Sequence, residues 1–212
     1  MKRKLLLLIS VISLVLATYI LGYSNLFTVS AVEVIGNSTP LKSGVVQGQK
    51  LARVEPNAIA AKYENLNWVE SAKVSRNWIS GKVTIELVER TPVAIFNNRL
   101  IDATGQSFVL PGPVPGNLVQ IQAGEARAAV KAVEFISQLP MELKSSLQVV
   151  KVRSTNTLVL MLQNDKKTLE VKWGTNSENE LKLQVYKALI ALKENAAVTR
   201  IDVSAPHAPI VK

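Results

Sequence analysis

The sequence predicts an α+β protein: an N-terminal single transmembrane helix, a small β-α-α-β-β domain, then a larger mixed β-sheet domain with two covering helices. Three observations carry this. Residues 5–23 hold no charge and follow directly on Lys2-Arg3-Lys4. Residues 82–96 place Val83, Ile85 and Leu87 on one face of an extended chain, break at Pro92 and resume with Val93, Ala94, Ile95 and Phe96, the pattern of a half-buried strand, a join and a second strand. Residues 178–193 repeat Leu181, Val185, Ala188, Leu189 and Leu192 at helical spacing, a stripe that must cover a sheet.

Residues 5–23, as a helix, are about 28 Å long at 1.5 Å per residue, close to a bilayer core. The basic triplet before them and the lack of a comparable cluster after them put residues 1–4 in the cytoplasm and the bulk outside. A cleaved leader is the rival reading, with Val29-Ser30-Ala31 as its cut site, but the apolar run exceeds the ~7 to 15 residues of a leader core. Net charge is +9; without Lys2, Arg3 and Lys4, 22 basic residues face 16 acidic ones, or +6. Beyond residue 4 no basic run is longer than Lys166-Lys167. That describes a solvated surface with some attraction to anionic lipid or cell-wall polymer, rather than a nucleic-acid patch. Cysteine is absent, which removes disulfides, thiolate catalysis and cysteine metal sites.

Residues 29–35 alternate weakly and stop at Gly36-Asn37, so they are expected to form the first strand. Ser38, Thr39 and Pro40 resemble a helix start, with Gly44 and Gly48 keeping that helix short. Pro56 opens a clearer second helix, with Ile59 and Tyr63 four apart. Val69, Ala72 and Val74 make the next strand, and the turn at residues 78–81 feeds the strand of residues 82–87. Beyond the join, residues 118–121 are a short strand candidate, and Ala129, Val130, Val133, Ile136 and Leu139 stripe a helix that Pro140 stops. Residues 147–152, 157–162 and 168–173 are three strand candidates separated by Ser154-Thr155-Asn156 and Asn164-Asp165-Lys166. In the helix of residues 178–193, Glu178, Lys182 and Lys193 are expected to face water. Residues 198–203 form the last strand, followed by an extended tail.

Nothing in the chain composes a catalytic constellation. His207 sits among tail prolines without a partner, and no HExxH, Walker or dinucleotide pattern occurs. Gly105-Gln106-Ser107 begins a nucleophile elbow, but Val109 stands where the second glycine is required. Asp102 is read as a turn residue accepting backbone N–H groups. Glu86 and Glu89 have opposite parity on a strand, and Trp68, Trp78 and Trp173 are read as packing residues. No enzyme activity, cofactor, metal, nucleic acid or small-molecule substrate is therefore expected. The last strand and tail are the candidate partner edge: Ile201, Asp202, Val203 and Ser204, then Pro209, Ile210 and Val211.

Three strings carry a resemblance: Val34-Ile35-Gly36-Asn37, then residues 69–78 (VESAKVSRNW), then residues 85–94 (IELVERTPVA). With residues 100–108 (LIDATGQSF), they resemble the FtsQ/DivIB family of bacterial cell-division proteins, of Gram-positive, actinobacterial-like type. In that family a single-pass anchor precedes a POTRA domain and a C-terminal β domain. Ile79 departs from the family, which usually has Pro after the Trp. The resemblance implies an anchor at residues 5–23, a POTRA domain over 27–91 and a β domain over 92–212. It implies structural roles for Gly36, Asn37, Val69, Ala72, Val74, Arg76, Trp78, Glu89, Arg90, Pro92, Asp102 and Gly105. It also implies a non-enzymatic scaffold at the septal cytoplasmic membrane, single-pass type II. Its partners would be the division proteins FtsB (DivIC) and FtsL, docked partly by strand addition at the C-terminal region, with septal synthase components as further neighbours. The alternative is a POTRA-bearing export or membrane-insertion factor that binds extended polypeptides.

Overall fold

The computed structural model describes residues 2–23, 27–36, 39–153, 156–164 and 167–212. Asn37, Ser38 and the expected turns at 154–155 and 165–166 lie outside the described residues. The chain divides into two compact units, Met1–Arg90 and Thr91–Lys212.

The first unit begins with helix α1 (Lys2–Tyr23). Residues 5–19 are exposed on every side of it, an apolar surface with no polar face. The spanning segment expected over residues 5–23 is nevertheless corrected: among the described residues no helix is long and apolar enough to cross a membrane.

Strands β1 (Ala31–Ile35), β2 (Val69–Arg76) and β3 (Lys82–Glu89) form a sheet in the order β1-β3-β2. β3 lies in the middle, parallel to β1 and antiparallel to β2. The period-two pattern explains its place: Val83, Ile85 and Leu87 are buried in one core with Val29, Leu51, Val54 and Tyr63. Helix α2 (Pro56–Glu64), with Pro at its N-terminus, packs along β2.

The other helix expected in this unit, from Ser38 to about Gly48, does not form among the described residues. Gly44 and Gly48 take φ of +69° and +86°. The Val29 N–H donates to the Gln49 carbonyl and the Gly48 N–H donates to the Val29 carbonyl, each at 2.8 Å. Backbone groups that a helix would pair internally are thus engaged with the segment ahead of β1. A single 3-10 turn (Leu51–Arg53) is what remains, and Arg76 Nη1 caps it by donating to the Leu51 and Val54 carbonyls at 3.0 and 2.6 Å.

The second unit is one mixed sheet. Its strands are β4 (Pro92–Phe96), β5 (Arg99–Asp102), β6 (Ser107–Phe108), β7 (Val119–Gln122), β8 (Leu147–Val152), β9 (Leu158–Asn164), β10 (Lys167–Gly174), β11 (Arg200–Asp202) and β12 (Ile210–Val211). Their order is β12-β11-β10-β9-β8-β7-β4-β5-β6. Pro92 starts β4 opposite Asp102, and the register shifts before Ala94; a residue without an N–H is tolerated at such an end.

Helices α3 (Ala126–Gln138), α4 (Met141–Ser146) and α5 (Asn179–Ala191) cover the face that carries Val150, Leu160, Leu162, Val171 and Ile201. Phe135 meets Trp173 edge-on, 5.6 Å between ring centroids. Two helix expectations change. The short α4, held by buried Leu143, was not expected. In α5 the inward stripe is rotated by one residue: Lys182 and Tyr186 are buried, whereas Ala188 and Leu192 are exposed. Lys182 was expected in water. Its stem lies in the core and its Nζ donates to the Thr175 carbonyl at 2.9 Å, while burial lowers its pKa against a smaller opposing pull from Glu178.

Candidate partner-binding edge

β12 ends the large sheet, and the chain's own tail builds it. Pro206 is buried while His207, Ala208 and Pro209 are exposed, and the turn they make returns the chain antiparallel to β11, with Ile201 opposite Val211 and Asp202 opposite Ile210. Backbone bonds join Arg200 and Lys212 in both directions, at 2.9 and 3.0 Å. In an antiparallel ladder bonded and non-bonded pairs alternate, so the N–H and C=O of Val211 point away from β11. Pro209, two residues earlier, has the same parity and offers only a carbonyl.

The seven residues expected at the partner edge therefore divide. Ile201 and Val203 are 1% and 0% exposed; β11 is paired on both sides, and these two side chains belong to the core. This corrects their expected place on a docking surface. Asp202 and Ser204 are half-buried and bonded to each other, Ser204 donating to Asp202 Oδ1 from its N–H at 2.9 Å and its hydroxyl at 2.6 Å. Pro209, Ile210 and Val211 remain at the rim, Ile210 being 53% exposed.

Strand register shows what surrounds Ile210. Lys151, Val159, Lys172, Asp202 and Ile210 stand opposite one another across β8 to β12, on the face away from the helical core. Lys172 Nζ pairs with Asp202 Oδ2 at 2.9 Å, and Arg200 Nε with Glu170 Oε1 at 2.9 Å. These side chains border a shallow groove of about 330 Å³ that reaches Ile210 and Lys212. Sequence reasoning passed over Glu170, Lys172 and Arg200, although their alternation with Leu169, Val171 and Ile201 signals a second, charged face.

Burial raises the Asp202 carboxyl, but bonds from the Ser204 hydroxyl, Lys172 and the Ser204 N–H outweigh it, and the net pKa is lowered. A carboxylate lowered on folding adds stability that is complete above its ordinary value and is lost as pH falls through the folded one. Asp202→Asn is therefore expected to flatten the acid limb of the unfolding curve. Urea melts at neutral pH and in acid check it; an unchanged acid limb would refute the assignment.

The positions implied by family resemblance act on folding geometry. Gly36 takes φ +83°, and a Cβ there would lie 2.1 Å from the Leu87 carbonyl oxygen; Gly105 takes φ +86°, and its Cβ would lie 2.7 Å from Val130 Cγ2. Asp102 Oδ1 accepts the N–H groups of Thr104 and Gln106, each at 2.9 Å, closing the turn between β5 and β6. Val69 is buried and faces Glu89 across the ladder, while Ala72 and Val74 pack on the small core. The Arg90 N–H donates to Trp68 and its Nε to Asn67.

Comparison with known families agrees with this architecture. Residues 27–90 match the POTRA domain of FtsQ type, and residues 93–204, more than half of the chain, match the C-terminal domain of the cell division protein FtsQ/DivIB. The chain belongs to the FtsQ/DivIB family of cell division proteins. Similar curated proteins are each named cell division protein FtsQ. That of Streptomyces bingchenggensis is 28% identical over 92% of this chain and 79% of its own length. That of Corynebacterium glutamicum is 28% identical over 65% and 64%, and that of Mycolicibacterium smegmatis 27% over 80% and 51%. The chain thus spans between about half and four fifths of these relatives. An export or membrane-insertion role is not favoured, because the POTRA domain leads directly into the division-type C-terminal domain.

Proposed function

We propose that this protein is a non-enzymatic scaffold of the septal division complex, docking partner division proteins through the β12 edge. The observation that carries this reading is the outward-pointing N–H and C=O of Val211 at the end of a nine-stranded sheet, beside the exposed Ile210. An extended partner segment would gain main-chain bonds there and specificity from the Ile210 side chain and the charged row behind it. The partners that the family resemblance implies, FtsB (DivIC) and FtsL, would dock there, with septal synthase components as further neighbours. Docking them would govern when septal wall synthesis begins.

The apolar surface of α1 supports membrane attachment: a helix apolar on every side finds its partner in lipid or in a core, and residues 5–19 are exposed among the described residues. The basic Lys2-Arg3-Lys4 adds attraction for anionic headgroups, which favours attachment at the septal membrane. Confinement to the membrane face raises the effective concentration of each partner. Depletion is expected to give filaments with unconstricted division sites, scored by microscopy; normal division after complete loss would end the scaffold reading.

A further inference from the structure

We infer that the tip between β2 and β3, with Ile79 at its apex and Trp78 beside it, is a lipid-contacting foot that seats the small unit on an anionic membrane surface. The inference rests on the membrane attachment of α1 proposed above. Ile79 is 100% exposed and Trp78 38%. A lone exposed apolar side chain is ordinary; the way this one is held is not. Asn77 Oδ1 accepts the N–H groups of Ile79 and Ser80, each at 3.0 Å, and the Gly81 N–H closes onto the Asn77 carbonyl at 2.9 Å. The turn is thereby locked with a β-branched apolar residue aimed into solvent.

The same turn is fastened to the segment that leaves α1. Ser30 donates its N–H to the Gly81 carbonyl at 2.9 Å and its hydroxyl to the Ser80 carbonyl at 2.7 Å. Gly81 takes φ +73°, and a Cβ there would lie 2.5 Å from the Thr28 carbonyl, so the approach is close enough to require glycine. Phe27 meets Trp78 edge-on with centroids 6.1 Å apart. Phe27 comes four residues after Tyr23, the last residue of α1, and four residues reach at most about 14 Å. Covalent geometry thus keeps Trp78 and Ile79 near the C-terminal end of the apolar helix.

The chemistry at that depth suits the tip. Aromatic rings with one polar and one apolar side settle at the interface between headgroups and hydrocarbon. Arg76 lies over the Trp78 ring at 5.2 Å, which places a cation at the level where anionic headgroups would sit. The foot would fix the tilt of the POTRA unit, whereas a tether of the same length without it would leave the unit free to swing.

The chain has no cysteine, so single cysteines report cleanly. Full-length Ile79→Cys, Leu14→Cys and Met141→Cys variants, spin-labelled and reconstituted in vesicles of phosphatidylglycerol and phosphatidylcholine, are compared by collision with oxygen, which favours lipid, and with a water-soluble nickel chelate. Leu14 is the lipid reference and Met141, 78% exposed, the aqueous one. The oxygen-to-nickel ratio at residue 79 is expected to be several-fold above that at residue 141 and to approach that at residue 14. A ratio at residue 79 equal to that at residue 141, with residue 14 in lipid, overturns the foot and leaves the anchor standing. Protection of residue 79 from both reagents points to a protein contact and also overturns it. A label at residue 14 that stays in water removes the anchor reading and the foot with it.

Discussion

Gly36→Ala is expected to destabilise the small unit by about 2 to 5 kcal/mol, combining the cost of a left-handed backbone for a residue with a Cβ and the strain of displacing a carbonyl. Gly36 ends β1 at φ +83°, and the added methyl would lie 2.1 Å from the Leu87 oxygen. That oxygen belongs to β3, the central strand, so it cannot move without disturbing the ladder to β2, where Leu87 faces Ala72. Gly48 supplies the control, because it takes φ +86° with nothing within 4 Å of the added carbon. Gly48→Ala should cost only the conformational part, about 1 to 2 kcal/mol. Hydrogen exchange on the full chain reads both: Gly36→Ala should lose protection in β1 and β3, with the second unit unchanged. Equal effects of the two substitutions would show that the close approach to Leu87 contributes nothing.

The strands were the legible part of this chain, and residue pattern explains why. Val83, Ile85 and Leu87 alternate with polar residues and lie in the core, and residues 147–152 coincide with β8. What escaped was decided by contacts distant in sequence. Residues 39–48 carry a helix-start pattern, but Gly44 and Gly48 take positive φ and the Gly48 N–H and Gln49 carbonyl are bonded to Val29. Lys182 was placed in water on residue type, yet the Thr175 carbonyl waits for its Nζ and Tyr186 shares its buried side of α5.

The partner edge was legible in location and not in detail. The tail contains two prolines and only two ladder residues, too little periodicity to reveal that it would fold back on β11 and turn Ile201 and Val203 into core. Nor does any sequence signal separate Ile210, facing the charged row, from Val211, packed on the large core; the fold back onto β11 sets that parity.

That division makes Val203 and Ile210 respond oppositely to the same substitution. Val203→Asp puts a carboxylate where the side chain is 0% exposed, and an uncompensated buried charge costs about 3 to 5 kcal/mol. Much of the second unit's stability should be lost, visible as a lower urea midpoint, and any loss of partner binding would result from unfolding. Ile210→Asp falls on a side chain that is 53% exposed, so stability should stay within about 0.5 kcal/mol. Capture of FtsB (DivIC) should nevertheless weaken by about 2 kcal/mol, or near thirtyfold in Kd, if Ile210 is an anchor of the contact. Val211→Pro isolates the main-chain share. The Val211 N–H points away from β11, so proline there spares the existing ladder and removes the outward donor. Full binding by both Ile210→Asp and Val211→Pro would exclude β12 as the docking edge. Loss with Val211→Pro alone would assign the affinity to strand addition rather than to the Ile210 side chain.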